Sequence, residues 1–112
     1  MSPESRRAKI EAMLAEEPGD VFLRYSLALE LDKEGAHEAS LARLRELMAE
    51  EQPYVPAFFM AGQQFVRLGR IDEARGAQRA GIDAARRQAD HHAAGEMSEL
   101  LASLGRLGDT SP

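Results

Sequence analysis

The sequence contains no cysteine, which excludes disulfides, iron–sulfur clusters, thiolate zinc sites and a cysteine nucleophile together, and which fits a reducing compartment. Aromatic residues make up only 5% of the 112 positions. No stretch approaches the roughly 18 uninterrupted apolar residues that a membrane span requires. The opening residues, MSPESRRAKIEAM, hold no apolar run of signal-peptide length. The expected location is therefore cytoplasmic, with no membrane partner. Glycine-rich phosphate loops, a GxSxG elbow and an HExxH pair are all missing, and almost nothing argues for strands.

What is present is helical in character. The chain is 44% apolar and rich in Ala, Leu, Glu and Arg, with Pro and Gly spaced like punctuation. One repeat stands out. Met13 to Val21 (MLAEEPGDV) returns 34 places later as Leu47 to Val55 (LMAEEQPYV), and Gly35 and Gly69 are separated by the same interval. Self-similarity at this period marks stacked helix pairs whose units cannot bury their apolar faces alone.

Apolar periodicity, caps and breakers predict about six helices. The first covers residues 3–17, with Ile10, Met13 and Leu14 on one stripe. It stops at Pro18-Gly19-Asp20, where Asp20 is the N-cap of a second helix over 20–34. The third covers 37–51 and breaks at Gln52-Pro53; the fourth covers 54–68 and ends at Gly69. A fifth runs from 71 to the mid-80s and a sixth over 89–104, and whether these two are continuous stays open. Residues 105–112 are too poor in apolar side chains to order themselves.

The spacing of Phe58, Ala61-Gly62, Phe65, Gly69 and Ala74 resembles the tetratricopeptide repeat, whose pattern runs aromatic, Leu-Gly, aromatic, turn Gly, small Ala. Residues 21–54 form a weaker copy, with Leu27-Ala28, Leu31, Gly35 and Ser40 in the matching places and Arg24 in the large-aromatic slot. The resemblance implies an all-α, right-handed superhelical α-solenoid of antiparallel pairs, a single domain over 1–104. Its parts are a half-repeat helix at 3–17, repeats at 21–54 and 55–88, and a capping helix at 89–104, before a disordered tail at 105–112. It is also similar to small free-standing bacterial proteins of this family. Small residues have their own physical purpose: Ala28 with Ser40, and Gly62 with Ala74, allow close approach within each hairpin.

The resemblance also implies a function. The first helix of each pair lines a concave groove that takes a peptide segment of another protein, so the groove residues are Phe22, Tyr25, Leu29 and Lys33 on the second helix and Phe59, Gln63, Val66 and Arg67 on the fourth. Such a lining suits apolar anchors, with a carboxylate held at the rim. The carboxylate-clamp subset of the family uses Lys and Asn, and the chain contains no Asn. For Phe22 and Tyr25 two readings stand side by side, packing and binding. Phe58 and Phe65 are core.

Charge adds an alternative. Residues 1–51 hold 7 Lys or Arg against 12 Asp or Glu, and residues 52–112 hold 7 against 7. Arg67, Arg70, Arg75, Arg79, Arg86 and Arg87 form a local basic patch. With no aromatic stacking residues beside it and an acidic total of −5, it does not point to nucleic acid. An acidic front and a basic back instead suit homo-oligomerisation through the solenoid ends. His37 is expected as filler in the hairpin. Asp90, His91, His92 and Glu96 offer too few ligands for a metal. No cofactor and no catalytic residues are expected.

Overall fold

The computed structural model describes residues 5–107. They form α1 (Arg6–Glu16), α2 (Val21–Lys33), α3 (His37–Met48), α4 (Val55–Arg67), α5 (Ile71–Arg87) and α6 (His91–Leu107), and among the described residues there is no strand. The fold is all-α, as the periodicity predicts. Residues 3 and 4 of the expected first helix lie outside the described residues, as does 108–112 of the expected tail. Helix α6 continues through Gly105 to Leu107, beyond the expected stop at 104.

Local chemistry sets the helix boundaries. Ser5 Oγ accepts the Ala8 N–H at 3.0 Å, Asp20 Oδ1 that of Leu23 at 2.9 Å, and Asp90 Oδ1 that of Ala93 at 3.1 Å. Each satisfies an otherwise orphaned donor of a first turn. Helices α2, α4 and α5 end in one and the same way. The Ala36, Arg70 and Asp90 amides donate five residues back to the carbonyls of Leu31, Phe65 and Ala85, while Gly35, Gly69 and Ala89 donate to Asp32, Val66 and Arg86. These are Schellman turns, in which the fifth residue is left-handed. Gly35 and Gly69 take φ of 84° and 76°, which costs glycine nothing; Ala89 takes 59°, which costs an L side chain roughly 1–2 kcal/mol. This turn separates α5 from α6, and no glycine announces it in the sequence.

The chain divides into two units, one ending at Gln52 and the next beginning at Pro53. In the first, α1 packs on α2 and α2 on α3. Ile10, Leu27 and Leu31 form a core cluster with Leu14 and Ala36 against it, and Leu41, Leu44 and Leu47 are completely buried. Each fully buried leucine contributes roughly 1.5–3 kcal/mol. The close approach expected of Ala28 and Ser40 is present, sharpened by a hydrogen bond from Ser40 Oγ to the Ala28 carbonyl at 2.6 Å. Arg24, in the aromatic slot, pairs with Glu50 at 2.6 Å. His37 is not filler: its Nδ1 lies 2.8 Å from Asp32 Oδ1, a polar tie across the α2–α3 turn.

In the second unit α4 packs on α5, α5 on α6, and α4 touches α6. Phe58 and Phe65 are core, together with Ala61, Ala74, Ala77, Ile82, Ala84, Ala85, Ala94, Met97 and Leu104. Gly62 is a point of close approach, but the group it admits is Gln78: a Cβ at Gly62 would overlap the Gln78 amide. Gly81 is a second such point, where a Cβ would lie 2.5 Å from Phe58 Cβ and closer still to Met97 Sδ. Gly76, on the same helix as Gly81, is exposed with open space around it.

Candidate functional site

A helix turns 100° per residue, so positions three, four and seven apart share a face. On α2 this places Phe22, Tyr25, Leu29 and Lys33 along one side, while Leu27, Ala28 and Leu31 point into the core. Phe22 is 66% exposed, Tyr25 and Leu29 are half-buried, and Lys33 is exposed. Lys33 Nζ stands 3.4 Å from Glu30 Oε1, so the cation at this end is already partly balanced.

On α4 the same geometry turns Phe58, Ala61, Gly62 and Phe65 inward. Phe59, Gln63 and Val66 are left half-buried and Arg67 exposed. Gln63, Val66 and Arg67 come together around a depression of about 360 Å³, whose fourth wall is Leu100 of α6. Phe59 lies on the same helix face, one turn away from this depression. None of the eight residues is enclosed in a core. Leu100 is not among the groove residues expected from sequence; it is half-buried on α6, the helix whose Met97 and Leu104 are buried.

A second depression, of about 200 Å³, lies between α1 and α2 and takes in Phe22 together with Arg6, Lys9, Ile10 and Met13. Met13, placed by periodicity on one stripe with Ile10 and Leu14, is 49% exposed, while Ile10 is buried. Ion pairs hold much of the rest of the surface. Arg6 reaches Glu30 at 2.9 Å and Arg7 reaches Glu34 at 3.1 Å.

The basic patch read from sequence is reduced in the folded chain. Arg70 grips Glu73 through two bonds of 2.7 and 2.8 Å and lies 5.0 Å from the centre of the Phe65 ring. Arg75 pairs with Asp72 at 2.7 Å and donates to the Leu104 carbonyl at 3.2 Å, so it secures α6 to α5 and does not face outward beside Arg79. His92 Nε2 pairs with Glu96 on the surface of α6. Among the described residues no group of three or more His, Cys, Asp or Glu could hold a metal ion, and no helix is long and apolar enough to cross a membrane.

No family model and no curated protein matches the sequence. Solved structures do. A tetratricopeptide repeat domain protein from Salinibacter ruber, solved in solution, is similar with a TM-score of 0.78 and 28% identity, covering 85% of this chain and 96% of its own. A crystal structure of a tetratricopeptide repeat domain protein from the same organism gives 0.70 and 30% identity, over 79% of this chain and 99% of that one. A Bordetella parapertussis protein solved in solution gives 0.77 and 26%, over 93% and 90%.

Proposed function

Because the chain belongs to the tetratricopeptide repeat family, a repeat fold of protein interaction, we propose that it is a non-enzymatic adaptor that binds a peptide segment of another protein. The observation that carries this reading is the open depression lined by Gln63, Val66, Arg67 and Leu100. It combines an aliphatic floor, an amide that can both donate and accept, and a guanidinium at the rim. A short apolar side chain fits the floor, with a carboxylate or a backbone carbonyl of the peptide at Arg67. On α2 the stripe Phe22, Tyr25, Leu29 and Lys33 offers a second face of the same type: large rigid rings that gain contact area at little entropic cost, ending in a cation.

The test is a selection of random peptides on the immobilised chain, followed by titration of the enriched sequences. Enriched peptides should share aliphatic or aromatic anchors with an acidic flank. Val66→Glu should abolish their capture, and Tyr25→Ala and Phe59→Ala should weaken it about tenfold or more, the loss that follows when an anchoring contact is truncated, with helicity by circular dichroism unchanged. Undiminished capture by folded Val66→Glu would remove the α4 assignment.

A further inference from the structure

Helix α1 leaves bare a face whose counterparts on α3 and α5 are covered. By the 34-residue shift Met13 corresponds to Leu47 of α3 and Gly81 of α5, and both of those are buried. Gly81 lies against Phe58 of α4, the first helix of its own pair. Arg6 corresponds to Ser40, which is fastened to Ala28 of α2, again the first helix of that pair. This side of a second helix is therefore the seat of a first helix. On α1 no helix among the described residues occupies it. Met13 is 49% exposed, Phe22 beside it 66%, and Arg6 and Lys9 line one end of the depression whose floor includes Ile10 and Leu23.

We propose that this face of α1 binds, in trans, an amphipathic helix of another protein that carries carboxylates, seated antiparallel to α1 as α4 is seated on α5. Two features of the chain define the ligand. Met13 is bulky where Gly81 is bare, so the incoming helix needs a small residue where α4 has Phe58. Arg6 and Lys9 are cations where the corresponding residues of α5 are the small Ala74 and Ala77. In an antiparallel pair, later residues of one helix meet earlier residues of the other, as Gly62 meets Gln78 after Phe58 meets Gly81. The carboxylates of the ligand therefore belong about four to seven residues after its small residue, one to two turns further on. Arg6 keeps donors in hand while it holds Glu30 through Nε, and Lys9 is exposed. A symmetric contact between two such faces would set Met13 against Met13, where the seat takes a small residue, which favours a foreign helix over a second copy. This site shares no residue with the α4–α6 depression and does not depend on that depression binding a peptide.

The probe is a synthetic 15-residue helix of about four turns, hydrocarbon-stapled so that helix formation does not limit binding. It carries a leucine stripe, an alanine to face Met13, and glutamates four and seven residues later; a twin carries lysines in place of the glutamates. Fluorescence titration on the whole chain should show the glutamate peptide binding at least about tenfold more tightly than its twin, the difference weakening with salt. Lys9→Glu, an exposed substitution, should narrow or invert that preference, and Met13→Glu should abolish binding of both, while Val66→Glu leaves it intact. Equal binding of the two peptides, or indifference to Met13→Glu in a folded variant, would overturn the proposal. So would concentration-dependent self-association of the chain alone that Met13→Glu disrupts, since the face would then belong to a second copy.

Discussion

Ser40 Oγ donates a 2.6 Å hydrogen bond to the carbonyl of Ala28, and neither residue has any exposed surface. The contact joins α3 to α2 through two small, fully buried residues, and the hydroxyl adds a directional tie to their packing. Ser40→Ala should lower stability by about 0.5–1.5 kcal/mol, the net worth of a buried hydrogen bond. Ser40→Leu should lower it further, because overpacking adds about 1–3 kcal/mol. Urea titration followed by circular dichroism measures both, and an unaltered midpoint for Ser40→Ala would mean that the bond contributes nothing.

Glycines of the second unit should respond to alanine in opposite directions. Gly76 and Gly95 lie in helices with open space where a methyl would go, so Gly76→Ala and Gly95→Ala should each stabilise by roughly 0.5–1 kcal/mol. At Gly81 the methyl would meet Phe58 Cβ, which cannot swing away as the end of a long side chain can. Gly81→Ala should therefore destabilise by about 1–3 kcal/mol despite the gain in helix propensity. Thermal melts of the three variants decide the matter by sign alone.

The turn between α5 and α6 gives a third test. Ala89 holds φ at 59° where the two other turns of this type use glycine. Ala89→Gly removes the left-handed penalty and increases the freedom of the unfolded chain, with a net stabilisation of about 0.5–1 kcal/mol. Ala89→Val should do the reverse. An Ala89→Gly variant that melts below the parent would contradict this assignment of the turn.

Gln78 supplies a fourth. It is fully buried on α5, and neither of its amide atoms has a hydrogen-bond partner among the described residues. Replacing it with methionine, similar in length and lacking the polar amide, should stabilise by about 1–3 kcal/mol, the desolvation cost of an unsatisfied group. Gln78→Ala should lose packing instead. Equal stability of Gln78→Met and the parent would show that the amide is satisfied in solution.

Much of the architecture is legible in single residues. Asp20 as an N-cap, Gly35 and Gly69 as left-handed turn residues, and Phe58 and Phe65 as inward-facing rings each follow from a signal a few residues long. Other features escape such reading for an identifiable cause. Gly62, Gly76 and Gly81 look alike in a helical pattern, yet two are pressed by neighbours and one is open to solvent. His37 presents the same imidazole whether it packs or bonds, and its partner Asp32 became evident only when the α2–α3 turn closed.

The amino-acid order by itself determined that this chain forms helices, where most of them start and stop, and that they come in pairs at a 34-residue interval. It could do so because capping, turn conformation and apolar period are contests among neighbouring residues. Tertiary packing decided the rest: that Met13 stands exposed while Leu47 is sealed, that Arg75 is drawn to α6, and that Leu100 joins Gln63, Val66 and Arg67 around one depression. Exposure depends on which other helix arrives to cover a face, and residues near in space but far along the chain settle it.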